Sequence, residues 1–224
     1  RDFMFVASID IETTGLQPEN SDILQFAVVL DNLADPQPLD SLPKFQAIFV
    51  KNCYQGDPAA LAMHPEIFKK IDYSRKRKID FCPETNTHFM DLEHLPTALE
   101  VFLSKNGVEK NEKNGKIYIT PAGKNVASFD LPFLKAKIKD WGSVSWLARV
   151  LDPAVLYLDV AKDRSIPDMK TCMERAGLEG EVPHTALEDA LIVLKLIRHK
   201  LVNNICVAEE KEPKKGKSRK ADRS

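Results

Sequence analysis

The chain has 224 residues, 43% apolar and 29% charged, with 33 acidic against 32 basic side chains, 9 Gly, 14 Pro and 4 Cys. This is the composition of an ordinary globular protein, long enough for one buried core, and it excludes collagen-like, mucin-like and wholly disordered chains. The longest apolar run, Phe26 to Leu30, is strand-sized and far short of the roughly 20 residues of a membrane span, and no secretory apolar segment opens the sequence.

Cys53, Cys82, Cys172 and Cys206 are scattered without a C-x-x-C pair. That spacing argues against zinc or a disulfide framework and predicts buried, reduced thiols in a cytoplasmic protein. A net charge of −1 neither demands nor excludes a nucleic-acid partner, because binding depends on a local patch. The chain opens at Arg1 rather than Met, as a segment of a longer polypeptide would.

Strands are expected at Phe3–Glu12, Ile23–Leu30 and Phe45–Val50, which are rich in Phe, Val and Ile and separated by Gly15, Pro18, Pro36, Pro38 and Pro43. Asp57–Ile71 follows a helical period, with Leu61, Ile67, Phe68 and Ile71 near one face. Ser74–His94 reads as a polar loop or insertion. Its Arg75-Lys76-Arg77-Lys78 run suits either a solvated surface or a phosphate contact. A short helix is expected at Leu95–Leu103, an exposed loop at Lys105–Lys116 and a buried strand at Ile117–Thr120.

Leu131, Leu134, Ile138 and Trp141 then recur at helical spacing, and Val155–Val160 reads as a short strand. Asp168–Ala176 is a helix stopped by Gly177, and Ala186–Leu201 is the clearest amphipathic helix. Strands first, then strands alternating with helices, imply an α/β protein with a mixed central sheet flanked by helices. One domain is expected over residues 1–205. A charged tail over 206–224 has too few apolar residues to order itself.

Three segments carry chemistry. In Ser8-Ile-Asp10-Ile-Glu12-Thr-Thr-Gly15-Leu16, strand alternation puts Phe3, Phe5, Ala7, Ile9 and Ile11 on one face and Asp10 and Glu12 on the other. Two adjacent carboxylates repel unless a cation lies between them, and hard oxygen ligands suit Mg²⁺ or Mn²⁺. A strand end with two solvated acids gives the same pattern. In Gly123-Lys-Asn125-Val-Ala-Ser-Phe129-Asp130, Asp130 stands where a loop becomes a helix, the ordinary place of a cap or dipole partner. In His184-Thr185-Ala-Leu-Glu188-Asp189, Thr185 and Glu188 form a capping box. His184 and Asp189 then occupy the two positions where a hydrophobic staple normally sits, an unfavourable choice for stability alone that points to a site.

Together the segments resemble the DEDDh family of 3′→5′ exonucleases, which includes polymerase proofreading subunits, ribonuclease T and oligoribonuclease. Its D-x-E-T-x-G motif is matched by Asp10, Glu12, Thr13 and Gly15. Its Asn and Phe-Asp motif is matched by Asn125, Phe129 and Asp130, and its H-x-A-x-x-D-A motif by His184, Ala186, Asp189 and Ala190. The resemblance covers about residues 3–203 and implies a ribonuclease H-like fold. It implies two Mg²⁺ or Mn²⁺ ions held by Asp10, Glu12, Asp130 and Asp189, with His184 as general base.

The same resemblance assigns Thr13, Thr14, Leu16, Asn125 and Phe129 to the substrate. The activity it implies is release of nucleoside 5′-monophosphates from the 3′ end of single-stranded nucleic acid, DNA favoured. An RNA-trimming enzyme or oligoribonuclease, and a ribonuclease H-like module that only binds nucleic acid, are the alternatives. A polymerase or another domain joined through the tail is a further expected partner; a membrane is not.

Overall fold

A computed structural model describes residues 4–178 and 185–202. Seven strands, β1 (Phe5–Thr13), β2 (Ile23–Asn32), β3 (Lys44–Phe49), β4 (Phe81–Cys82), β5 (Thr87–Met90), β6 (Ile117–Ala122) and β7 (Val144–Trp146), form one mixed sheet in the order β4-β5-β3-β2-β1-β6-β7. The β1–β2, β2–β3 and β4–β5 pairs are antiparallel, and β1–β6, β3–β5 and β6–β7 are parallel. The carboxyl ends of β1, β3, β5, β6 and β7 therefore point the same way.

Helices cover both faces, because β1 to β3 are apolar on both sides. Ala7, Ile9 and Ile11 face a core closed by α3 (Leu95–Lys105) and α4 (Asp130–Lys137) through Leu95, Leu99, Leu103, Phe133 and Leu134. On the opposite face Val6 and Val29 pack under α5 (Pro153–Leu156), α6 (Met169–Arg175) and α7 (Ala186–Leu201). Leu24, Ile48 and Phe89 pack under Ile67 and Ile71 of α2 (Pro65–Arg77).

The expected helix over 57–71 is two helices. The first, α1 (Pro58–Met63), is capped by Asp57, whose carboxylate accepts from Ala59 N at 2.8 Å; Pro65 starts α2. Ser74–His94 is not a loop: α2 runs on to Arg77, ends at Lys78 in the left-handed conformation (φ 54°), and is followed by the β4–β5 hairpin. Nor is Val155–Val160 a strand, since Asp152 caps the short helix α5 by accepting from Ala154 N at 2.8 Å. The helix at Leu131 stops at Lys137, before Trp141, whose ring instead meets Trp146 edge-on at 5.7 Å.

Strands β1 to β3 and β6, helices α3, α6 and α7, and the left-handed Gly177 lie where the sequence puts them. Of the thiols, Cys172 is buried but Cys53 is exposed and Cys82 half-buried. No helix among the described residues is long and apolar enough to cross a membrane. The expected tail, together with Cys206, lies outside the described residues.

Candidate metal centre

Asp10 and Glu12 project from the carboxyl half of β1, on the face that carries α7. A register shift between Glu12 and Thr13 marks a β-bulge, which turns the chain away from the sheet directly after the second acid. Asp189 arrives from the first turn of α7, where Thr185 caps the helix by accepting from Glu188 N at 3.4 Å. The capping box differs from the usual reciprocal form, because the Glu188 carboxylate accepts from the Thr185 hydroxyl at 2.7 Å. Ser8, on the same strand face as Asp10, donates its hydroxyl to Ala190 O at 2.8 Å and so ties this turn to β1.

As a result Asp10, Glu12 and Asp189 each offer a carboxylate oxygen within 4.8 Å of the other two. Asp130 is the fourth acid. It begins α4, but its Oδ1 accepts from Ile11 N at 3.1 Å across the sheet instead of capping its own helix. Gly123 lets this loop approach β1, since a Cβ there would lie 2.9 Å from Ile9 O and from Val126 Cβ.

The electrostatics are those of an anionic cage. Burial, then Asp130, Glu12 and Asp189, push Asp10 up to about 9, although Lys124 nearby pulls the other way. Burial with Asp189 and Asp130 pushes Glu12 up to about 7. Burial raises Asp130 to about 7 against its backbone hydrogen bonds. Without a cation Asp10 retains its proton at neutral pH, and Glu12 and Asp130 are only partly ionised. A hard divalent ion fits an all-carboxylate donor set of this spacing and would release the remaining protons.

The other expected site residues are placed differently from one another. Thr13 Oγ1 donates to Gly15 O at 2.7 Å. The Thr14 hydroxyl donates to Gln55 O at 2.5 Å and accepts from Asp22 N at 2.7 Å. Both hydroxyls therefore hold the loop together. Gly56 packs so tightly against Thr14 that a Cβ would meet its carbonyl oxygen at 2.4 Å. Leu16, by contrast, is 83% exposed beside a cavity of about 750 Å³ that also borders Gly56, Ala60 and Met63.

Asn125, in the left-handed region at φ 57°, donates its N–H to Asp152 Oδ2 at 2.8 Å and accepts from the Ser128 hydroxyl. Phe129 is half-buried with its ring 5.1 Å from Phe133. His184 lies outside the described residues.

Two residues at the site went unremarked in the sequence. His64 Nδ1 lies 3.7 Å from Glu12 Oε2, and burial lowers the imidazole's pKa against a backbone hydrogen bond to Thr13. The His-Pro pair that breaks α1 from α2 was the available signal. Lys124, exposed next to Asn125, is close enough for its charge to pull Asp10 down.

No protein-family model matches the sequence, and no curated protein matches it. The structure is similar to that of cell-death related nuclease 4 (CRN-4), with a TM-score of 0.58 and 12% identity over 90% of this chain and 64% of that one. It is also similar to E. coli exonuclease I in complex with a dA16 oligonucleotide, with a TM-score of 0.53 and 13% identity over 92% of this chain and 43% of that one. The chain thus spans less than two thirds of either protein. At this level of identity the likeness concerns the fold: the chain has the ribonuclease H-like architecture, a mixed sheet between helices, and its acid cluster stands at the carboxyl end of β1.

Proposed function

We propose that this chain is a metal-dependent 3′→5′ exonuclease of the DEDDh type, releasing nucleoside 5′-monophosphates from single-stranded nucleic acid. The observation that carries the reading is the convergence of Asp10, Glu12 and Asp189 from β1 and α7, with Asp130 hydrogen-bonded to the backbone between the first two. Three half-buried carboxyls held within reach of one another beside the buried Asp130, at a cost in repulsion, have a chemical use when a cation joins them. The oligonucleotide bound to E. coli exonuclease I favours DNA as the substrate.

Asp10, Glu12 and Asp189 would hold Mg²⁺ or Mn²⁺, and Asp130 would complete the set for a second ion. Once bound, such ions polarise a phosphoryl oxygen and lower the pKa of water. The chain's own part is to position and exclude. Leu16 and Met63, 83% and 76% exposed around one cavity, offer two apolar surfaces for the terminal base. Thr13 and Thr14 fix the loop that carries Leu16. Lys124 supplies positive charge for the phosphate. His184, three residues after Glu181 in the sequence and one before the cap Thr185, is the general base that takes the proton of the attacking water.

The test is incubation of 5′-labelled single-stranded DNA and matched RNA with Mg²⁺, Mn²⁺ or EDTA. The expected result is a metal-dependent ladder that shortens from the 3′ end, faster on DNA. Faster shortening of RNA would reassign the substrate, and binding of both strands with no cleavage under any metal would overturn the enzyme.

A further inference from the structure

The acid cluster is not the only surface suited to a nucleic acid. At the β4–β5 edge, four rings follow one another: Phe81 to His88 at 4.7 Å, His88 to Phe45 at 5.1 Å and Phe45 to Phe102 at 5.8 Å. Phe45 is buried, but Phe81 is 37% exposed, and His88 and Phe102 are half-exposed. Two cavities meet over this ladder, sharing His88 and His94 as walls. One, of about 850 Å³, lies under the end of α2; the other, of about 540 Å³, lies between β3 and α3.

Their charge differs from that of the chain as a whole. Lys44, Lys105, Arg75 and Lys78 line them, against Asp80 and Asp91. The neighbouring cations of the α2 end are turned to other uses: Lys76 pairs with Asp72 at 2.7 Å, and Arg77 lies over the Tyr73 ring. A net positive groove with exposed rings has the two components of single-strand binding, cations for the backbone and faces on which bases stack.

The groove opens toward the same end of the sheet as the acid site. The larger cavity includes Val50 and Met90, which follow or end β3 and β5 at the same end of the sheet as Glu12. Three strand spacings of about 4.8 Å, roughly 14 Å in all, separate β1 from β5. A polar chain bridges that gap. Thr14 holds Asp22, Asp22 Oδ1 accepts from Lys51 Nζ at 2.6 Å, and the Arg75 guanidinium donates to the Lys51 carbonyl.

We infer that this edge groove binds the 5′-ward part of the same single strand whose 3′ end enters the acid site, a base stacking on Phe81 at the open end of the ladder and phosphates meeting Arg75, Lys78, Lys44 and Lys105. The identity of the strand rests on the exonuclease reading. The groove gives the protein a grip on long strands that it lacks on short ones.

The experiment compares binding and cleavage. Fluorescence anisotropy, with Ca²⁺ in place of Mg²⁺, measures affinity for an oligothymidylate of about 16 nucleotides, a length that fills a single-strand groove. Cleavage of trithymidylate with Mg²⁺ reports the acid site alone. Phe81→Ala is expected to weaken binding of the long strand about tenfold, and Lys78→Glu to lower the salt slope of binding by about one. Both should leave trithymidylate cleavage as in the wild type.

Unchanged affinity and salt slope in both variants would overturn the groove, as would equal wild-type affinity for the long strand and trithymidylate. Should Phe81→Ala lower the melting temperature, Lys78→Glu on the exposed helix end decides. A wild type that binds the long strand through these residues yet cleaves neither substrate would overturn the exonuclease reading and leave the groove standing.

Discussion

The hydroxyl of Ser8 donates to the carbonyl oxygen of Ala190 at 2.8 Å, joining residues 182 positions apart and fixing the first turn of α7 against the strand that carries Asp10 and Glu12. Asp189 precedes Ala190, so the bond holds the third carboxylate in register with the other two. Ser8→Ala is expected to cost about 1 kcal/mol of stability, the usual net worth of such a bond. It should cost more in metal affinity, with the Mg²⁺ concentration for half-maximal activity rising by about tenfold, in the range seen when a group that orients a ligand is removed. Restored activity at high Mg²⁺ would mark Ser8 as positioning. Activity lost in proportion to folded protein would mark it as structural only.

The raised carboxyls make a pH signature in stability. In the unfolded chain an aspartate or glutamate titrates near about 4. Folding raises Asp10 to about 9 and Glu12 and Asp130 to about 7. Between these limits the folded protein holds protons that the unfolded chain has released, so rising pH favours unfolding. Their favourable contribution is therefore full below about pH 4 and is lost as pH rises through 7 and then 9.

Melting of the metal-free protein should accordingly fall in temperature as the pH is raised from about 5 to about 9. Added Mg²⁺ should restore more stability at the upper end than at the lower. Asp10→Asn should flatten the pH slope and raise the metal-free melting temperature near neutral pH, at about 2–4 °C per kcal/mol for a chain of this size. The same variant should lose more than about 100-fold in activity, beyond the effect of losing a group behind a ligand. A metal-free melting temperature independent of pH would contradict the cage.

How much of this was legible in the sequence depends on the range of the interactions. Alternation along β1 separates Ile9 and Ile11 from Asp10 and Glu12, and the structure keeps that division, because a strand face is a local property. The capping box likewise fixes the start of α7 within one turn. By its local position alone Asp130 reads as a cap and only the family resemblance makes it a ligand, since its actual partner, Ile11 N, is 119 residues away.

Val155–Val160 has a strand-like composition, but the Asp152 cap with Pro153 behind it starts a helix there and local capping prevails over propensity. Ser74–His94 looked like a loop because its polar side chains face outward on the α2 end and on a short edge hairpin. The buried residues that hold this region, Ser74, Thr87 and Phe89, are few and widely spaced. The turn at Gly56 against Thr14 has no local signal at all.

Among the described residues, Asp31 and Arg198 form the most buried ion pair. Two guanidinium nitrogens of Arg198 reach the two oxygens of Asp31 at 2.6 and 2.5 Å, and Arg198 also donates to Gln37 O at 2.5 Å. The Asp31 side chain is fully buried and Arg198 only 12% exposed. Removing the cation leaves a buried carboxylate without its partner. Arg198→Ala is therefore expected to destabilise by about 3–5 kcal/mol in denaturant unfolding, whereas removal of the exposed Lys69, paired with Glu66, should change stability by under about 1 kcal/mol. Equal effects would show that burial does not govern these pairs.

Leu16 and Met63 are large apolar side chains left open to solvent around the cavity between the Gly15 loop and α1. Neither contributes to a core, so their truncation should leave the melting temperature within about 1 °C of the wild type, as for surface substitutions in general. Their proposed work is contact with the terminal base, and stacking on a base is worth about 1–3 kcal/mol. Leu16→Ala is thus expected to raise KM for single-stranded DNA by about tenfold, and Met63→Ala by a similar or smaller factor, each with a lesser change in kcat.

The metal dependence should be unaltered in both variants, because neither side chain bears a ligand. A purely bridging role for the two residues, filling space between the Gly15 loop and α1, predicts the opposite pattern: lower melting temperature with KM unchanged. Measuring KM, kcat and melting temperature on the same preparations separates the two, and a KM within twofold of the wild type for both variants would remove this surface from the substrate path.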